Sequence, residues 1–151
     1  MRKIEQLLPH RPPFLYADRI DEATKERTVG YRTFTEAKDA FFAGHFPEYP
    51  IVPGVILLET MAQVGGAGVK AIDVYPIGTV FFLGSVEKAK YRRPVRPGEE
   101  VKVVVNNLRL SPKVIKQRGS AYVGEELAAE AEWLCVVGIE GQDGKKIWGG
   151  N

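Results

Sequence analysis

The sequence predicts an α+β fold in which a sheet of about six strands wraps one long helix, about residues 53–70. Two observations carry this. From Val55 onward, apolar residues occupy positions 55, 56, 57, 58, 61, 62, 64 and 67. They cover nearly the whole circumference of a helix, so the segment is suited to burial rather than to a surface. After Pro76 the chain reads as strand almost to its end. A helix apolar all round and a run of strands are both satisfied when the sheet wraps the helix. The length of 151 residues favours a single domain, residues 1–151.

The elements follow in order. Residues 2–8 predict a short helix ended by Pro9. Residues 14–20 and 26–35 predict two strands with a turn near Asp21-Glu22, the second rich in Thr, Val, Tyr and Phe. Residues 41–53 are a loop dense in Phe, Gly and Pro. Pro53 opens the long helix, because a missing N–H costs nothing at the first helical position. Gly65, Gly66 and Gly68 weaken the second half of that helix by up to ~1 kcal/mol each. They either permit close packing against a strand or a partner chain, or end the helix. Strands are predicted at 79–91, 100–110 and 113–123, separated by turns at 93–98 and at Ser111-Pro112. Residues 126–137 are divided. Glu126 to Ala131 favour helix by propensity, whereas Trp133 to Val137 favour strand. The tail from Gly141 holds a Gln-Asp-Gly turn signal.

Composition narrows the function classes. The net charge of +2 is too balanced to imply nucleic acid. Cys135 is the only cysteine, so there is no intrachain disulfide and no cysteine-based metal site. Early prolines and Glu5 interrupt any secretory apolar run. Glu59, Gln63 and three glycines make the apolar stretch 51–69 a poor membrane span. The chain is therefore expected to be cytoplasmic. It carries no phosphate-binding loop and no nucleophile elbow. Its histidines and acids have no metal-ligand spacing.

Few residues are left for chemistry. His10, in Leu8-Pro9-His10-Arg11-Pro12, reads as a structural histidine in a turn. His45 sits between Gly44 and Phe46-Pro47, just before the buried helix. A lone loop histidine is more often structural, yet this setting also suits a functional one. Glu59 lies on a helix with almost no polar face, and a carboxylate buried without a partner is costly. Either it reaches solvent or a partner, or it stays neutral and serves as a general acid. Gln63 shares its face, four residues on, and is close enough to hydrogen-bond. Pro53-Gly54-Val55 begins the helix, where free N–H groups attract negative charge. The Gly54 N–H is placed to polarise a carbonyl, or this is an ordinary helix start. Lys88, Lys90, Arg92, Arg93 and Arg96 form either a solvated strand end or a landing patch for an acidic partner.

Taken together, these stretches resemble the 3-hydroxyacyl-acyl-carrier-protein dehydratases of bacterial fatty-acid synthesis, the FabZ type. The resemblance runs through Leu8-Pro9-His10-Arg11, Pro13-Phe14-Leu15 and Asp18-Arg19. It continues through Phe41-Phe42-Ala43-Gly44-His45-Phe46-Pro47, Pro50-Ile51-Val52-Pro53-Gly54-Val55 and Glu59-Thr60-Met61-Ala62-Gln63. It ends with Ala89 to Glu99. The resemblance implies a hot-dog fold, an antiparallel sheet around the central helix, and it makes 126–137 a strand. It implies a homodimer, often assembled into a trimer of dimers, with histidine and acid supplied by different subunits.

The implied substrate is a 3-hydroxyacyl chain on the phosphopantetheine of acyl carrier protein, with no metal or redox cofactor. In the implied roles His45 removes the C2 proton, Glu59 protonates the departing hydroxyl, Gly54 polarises the thioester carbonyl and Gln63 orients Glu59. The acyl tail lies in an apolar tunnel between subunits. Arg92, Arg93 and Arg96 face the acidic carrier protein. The chain departs from the family pattern at Tyr31-Arg32, Lys38-Asp39, Pro12 and Glu48. Those departures leave room for a paralogue serving a specialised lipid or polyketide chain. Glutamate at position 59 favours dehydration without isomerisation, since the related isomerases usually carry aspartate there. A thioesterase, an enoyl hydratase running in the reverse sense and a non-catalytic acyl-binding module on the same fold are the alternatives. The His45 and Glu59 combination argues against the last.

Overall fold

A computed structural model of the protein describes residues 2–139. The expected Gln-Asp-Gly turn lies outside them. A short helix α1 (Ile4–Leu7) leads through an extended segment to β1 (Arg19–Ala23) and β2 (Arg27–Thr33). A second short helix α2 (Phe41–His45) precedes the long helix α3 (Gly54–Ala71). Four strands follow: β3 (Thr79–Tyr91), β4 (Glu100–Leu110), β5 (Val114–Val123) and β6 (Glu126–Ile139). They form one sheet in the order β1-β2-β4-β5-β6-β3, with every neighbouring pair antiparallel. α3 packs against the strands of this sheet, which is the hot-dog arrangement.

The core lies between α3 and the sheet. Met61, Val64, Ala67 and Val69 from the helix are fully buried, as are Val101, Val103 and Val105 from β4, Ile115 from β5 and Trp133 from β6. The alternation of buried valines along β4 follows the two-residue period of a strand with one face on the core. The helical glycines serve packing. A methyl group at Gly65 would collide with the Gln117 amide, and one at Gly68 with the Thr28 side chain. The helix can lie this close to the sheet only because both positions lack a Cβ. Gln117, fully buried, then ties the layers together. Its amide donates to the Gly65 carbonyl at 3.2 Å and to Asn107 Oδ1 at 2.8 Å, and it accepts from the Trp133 indole at 3.0 Å.

Several expectations change. The first strand covers Arg19–Ala23 rather than 14–20. Residues 14–16 give their backbone groups to the Gln63 side chain instead of to a ladder. The turn falls at Thr24 to Glu26, because the Thr24 hydroxyl accepts from the Glu26 and Arg27 N–H groups. The expected turn residues Asp21 and Glu22 are strand residues that pair with Arg19 and Arg27. The 41–53 loop contains α2, so His45 ends a helix. Pro53 caps α3 rather than opening it, with its carbonyl accepting from Ile56 and Leu57 N–H. Residues 126–137 are strand throughout. Pairing on both sides, with β5 and β3, overrides the helix propensity of Glu126 to Ala131.

Candidate active site

Glu59 projects from α3 into a cavity of about 440 Å³. The helix lines it with Glu59, Ala62, Gln63, Gly66 and Lys70, spaced so that all fall on one face. The opposite wall is β3 from Thr79 to Leu83, with Ile115 and Cys135 behind. Leu7, Leu8, Pro9, His10 and Phe14 of the N-terminal segment close the side. The lining is mostly apolar with few polar groups, the usual make-up of a small-molecule site. Lys70 Nζ bonds the Thr79 carbonyl at 2.7 Å, which joins helix and β3 at the end away from Glu59.

The Glu59 carboxyl is held rather than loose. Gln63 Nε2 donates to Glu59 Oε2 at 2.9 Å. Gln63 is itself buried and fixed by two further bonds, donating to the Phe14 carbonyl at 2.9 Å and accepting from the Tyr16 N–H at 2.7 Å. The extended run 14–16 is thus the brace that aims the carboxyl. The same carboxyl oxygen also faces His10, whose Nε2 lies 3.8 Å from Glu59 Oε2. Burial pushes the His10 imidazole below its usual range, with Glu59 pulling partly the other way. Burial also pushes the Cys135 thiol up to about 12, so it stays protonated and inert in this wall.

His45 stands apart from these groups. It ends α2, half-buried, and is not among the residues lining the Glu59 cavity. Its ring lies tilted against Phe46, 4.3 Å between centroids, and Nδ1 faces the Ile51 carbonyl at 3.4 Å. A proton on Nδ1 would point at that carbonyl and leave the Nε2 lone pair free to act as a base. The segment is anchored upstream. Asp39, buried, accepts from Arg32 Nη2 at 2.7 Å and from the Thr35 N–H at 2.9 Å.

Gly54 is the first residue of α3, so its N–H has no intrahelical partner. The Tyr91 ring packs so closely that a Cβ at position 54 would lie 2.9 Å from it. The arginines differ among themselves. Arg92 pairs with Glu130, and Arg93 with Glu99 and Glu126. The Arg96 guanidinium hydrogen-bonds the Tyr49 hydroxyl at 3.2 Å. One chain therefore brings Glu59, Gln63 and His10 together, and leaves His45, Gly54 and the arginines elsewhere. Sequence reasoning took His10 as a turn residue. The signal that could have found it was its place in the same ordered set of motifs as Glu59. Among the described residues, no group of three His, Cys, Asp or Glu side chains is placed to hold a metal ion. No helix there is long and apolar enough to cross a membrane.

Comparison with known proteins sets this geometry in context. The FabA-like domain matches residues 8–132. The chain is 45% identical over 136 residues to the 3-hydroxyacyl-[acyl-carrier-protein] dehydratase FabZ of Desulforamulus reducens, covering 89% of this chain and 94% of that one. Its identity to the enzyme of the same name from Pelotomaculum thermopropionicum is 42% over 138 residues, covering 91% and 97%. Among solved structures, the dehydratase heterocomplex ApeI:P of Xenorhabdus doucetiae superimposes with a TM-score of 0.83 at 13% identity, over 97% of this chain and 98% of that one. A thioesterase-like protein of Ralstonia eutropha related to phenylacetic acid degradation gives 0.62 at 18% identity, over 78% and 83%. At such identities the last two speak to the fold alone.

Proposed function

The chain belongs to the FabA-like family as a 3-hydroxyacyl-[acyl-carrier-protein] dehydratase of FabZ type, and from that premise we propose that it converts 3-hydroxyacyl chains on acyl carrier protein to trans-2-enoyl chains in fatty-acid biosynthesis. The observation that carries this reading is the Glu59 carboxyl, fixed by a buried amide at the edge of an apolar cavity. A carboxyl in such a setting suits the acid of a dehydration.

The steps follow from the chemistry of the substrate. The thioester acidifies the C2 proton, and His45 Nε2 takes it. The pair of electrons left behind forms the C2–C3 double bond as the C3–oxygen bond breaks. Glu59 supplies the proton with which the hydroxyl departs as water. Negative charge gathering on the thioester oxygen meets the Gly54 N–H at the start of α3, where the helix dipole adds to the attraction. Gln63 keeps the acid aimed. The proposed reaction calls for no redox cofactor, because no electrons leave the substrate, and for no metal, because the thioester already acidifies the C2 proton.

His45 and Glu59 do not share a cavity within one chain. On this reading the homodimer, alone or in a trimer of dimers, is the working unit, with His45 of one subunit completing the Glu59 cavity of the other; the separate placement of the two residues within one chain supports it. Residues 1–151 act as one domain in the cytoplasm. Arg92, Arg93 and Arg96 receive the carrier protein.

The test is incubation of the purified protein with a 3-hydroxyacyl carrier protein. Appearance of enoyl absorbance without free thiol is the expected result. Release of free thiol instead would assign a thioesterase, and tight binding without either product would assign an acyl-binding module.

A further inference from the structure

We propose that His10 is a further catalytic residue of this reaction, whose Nε2–H donates a hydrogen bond to the C3 hydroxyl as it leaves. The proposal rests on the dehydratase reading and adds a group to its acid side. Three observations lead to it. His10 and Glu59 line the same cavity. His10 Nε2 and Glu59 Oε2 lie 3.8 Å apart, too far for a direct hydrogen bond. That gap leaves room for one oxygen atom about 2.8 Å from each group. A substrate hydroxyl placed there would touch both.

The tautomer follows from the surroundings. His10 Nδ1 is buried with no hydrogen-bond partner. A proton there would be an orphan donor, whereas a proton on Nε2 faces a carboxyl. The imidazole is held in place by its neighbours. Its ring stacks on Phe14 at 6.4 Å. The Arg11 guanidinium braces the turn, donating to the carbonyls of Leu8 at 2.8 Å, His10 at 2.6 Å and Glu5 at 3.0 Å. The ring is thus a neutral, fixed donor. As the C3–oxygen bond breaks, charge builds on the departing oxygen. Glu59 transfers its proton to that oxygen, and His10 stabilises it without giving up its own. Atoms and charge balance as before: the C2 proton ends on His45, the Glu59 proton leaves in water, and His10 is unchanged. Donors aimed at developing charge act most strongly in such a site.

The experiment compares the full-length protein with His10→Ala and His10→Gln, each checked for an unchanged melting profile and oligomeric state. His10→Ala should lower kcat by tens to hundreds of fold, the scale of one lost donor, ~10²-fold. His10→Gln keeps an N–H at the Nε2 position and should recover a large part of that loss. A second readout separates donation from support. In a His45→Ala background, binding of a 3-hydroxyacyl carrier protein is compared with that of the saturated acyl carrier protein. His10→Ala should erase about tenfold of preference for the hydroxyl and leave binding of the saturated chain unchanged. Equal loss for both chains, or unchanged kcat in an active protein, would overturn the role of His10 alone. An unsubstituted protein that forms no enoyl product would overturn the dehydratase reading beneath it.

Discussion

Glu59 and His45 stand 14 positions apart in the sequence and in opposite circumstances in the fold. Glu59 sits on an 18-residue helix, with its carboxyl bonded to a buried glutamine that is bonded to two backbone groups of another segment. His45 ends a five-residue helix and has one long contact, 3.4 Å, to a carbonyl. Phe46 beside it, and Tyr49 and Val55 further along the chain, are exposed, at 52%, 51% and 68%. The proposed acid is thus fixed within its own chain, while the proposed base lies beside exposed apolar side chains. Exposed apolar side chains gathered at one place mark an interaction surface. This contrast is what the proposed shared site would require: an acid preorganised in its own subunit and a base completed by a partner.

The sharpest way to break that contrast is complementation. His45→Ala and Glu59→Gln should each lower kcat by about 10²–10⁴-fold, the span of general acid–base catalysis. Mixing the two variants and letting subunits exchange should restore activity. Half of randomly formed dimers pair one variant with the other, and each holds one intact site, so about a quarter of full activity returns. A mixture no more active than its components would place both residues in one subunit and sink the comparison.

The base half depends on a buried ion pair, and removing it should destabilise the chain. Arg32 and Asp39 are 8% and 3% exposed, and Asp39 lies just before α2. Asp39→Leu leaves the Arg32 guanidinium buried with only the Asp18 carboxylate, 3.0 Å away, as ionic partner. Breaking a buried pair from one side costs about 3–5 kcal/mol. The melting temperature should fall by roughly 10 °C, measured by calorimetry. A fall of only a degree or two would mean that Asp18 alone suffices and that Asp39 does not anchor the His45 segment.

How far each half could be read from sequence also differs. Strands 79–91 and 100–110 were legible because strand-forming runs and flanking turns are local signals. So was the burial of the helix, from its all-round apolar pattern. Residues 14–16 were not legible as a brace. They carry strand-forming side chains, but their backbone groups go to Gln63, 47 residues from Tyr16, and no local pattern encodes such a bond. His10 was missed for the same reason. Its turn is ordinary by itself, and only the fold lays it beside Glu59. The strand at 126–137 needed partners on both edges to overrule its own propensity.

A smaller effect would sharpen the acid half. Gly66 lies on the cavity face of α3, about 10 Å along the axis from Glu59 at 1.5 Å per residue. A Cβ there would sit 3.3 Å from the Phe81 ring and 3.9 Å from Leu8, narrowing the passage between them. Gly66→Val should preserve turnover of short chains and reduce that of long chains by about tenfold, since extra methyls in a filled apolar site cost about 1–3 kcal/mol. Assay of kcat/KM across carrier-bound chain lengths gives the answer. An equal loss at every length would mean that the tail does not run along this face.

The smallest effect belongs to the basic residues. Arg92 and Arg93 each already hold a glutamate, so their charge is largely spent within the chain. Arg96 holds the neutral Tyr49 hydroxyl, and its ring contact at 5.8 Å keeps it beside the exposed cluster near His45. An acidic carrier protein arriving at the base half would therefore feel Arg96 first. Arg96→Ala should raise KM for the carrier-bound substrate several-fold at low salt and leave kcat unchanged. The difference should shrink as ionic strength rises, because exposed charges are screened over about 10 Å at 0.1 M salt. Arg92→Ala and Arg93→Ala should move KM less and stability more. If instead they raise KM more than Arg96→Ala does, carrier docking lies on the far side of the β3–β4 turn from His45, away from the open half of the site.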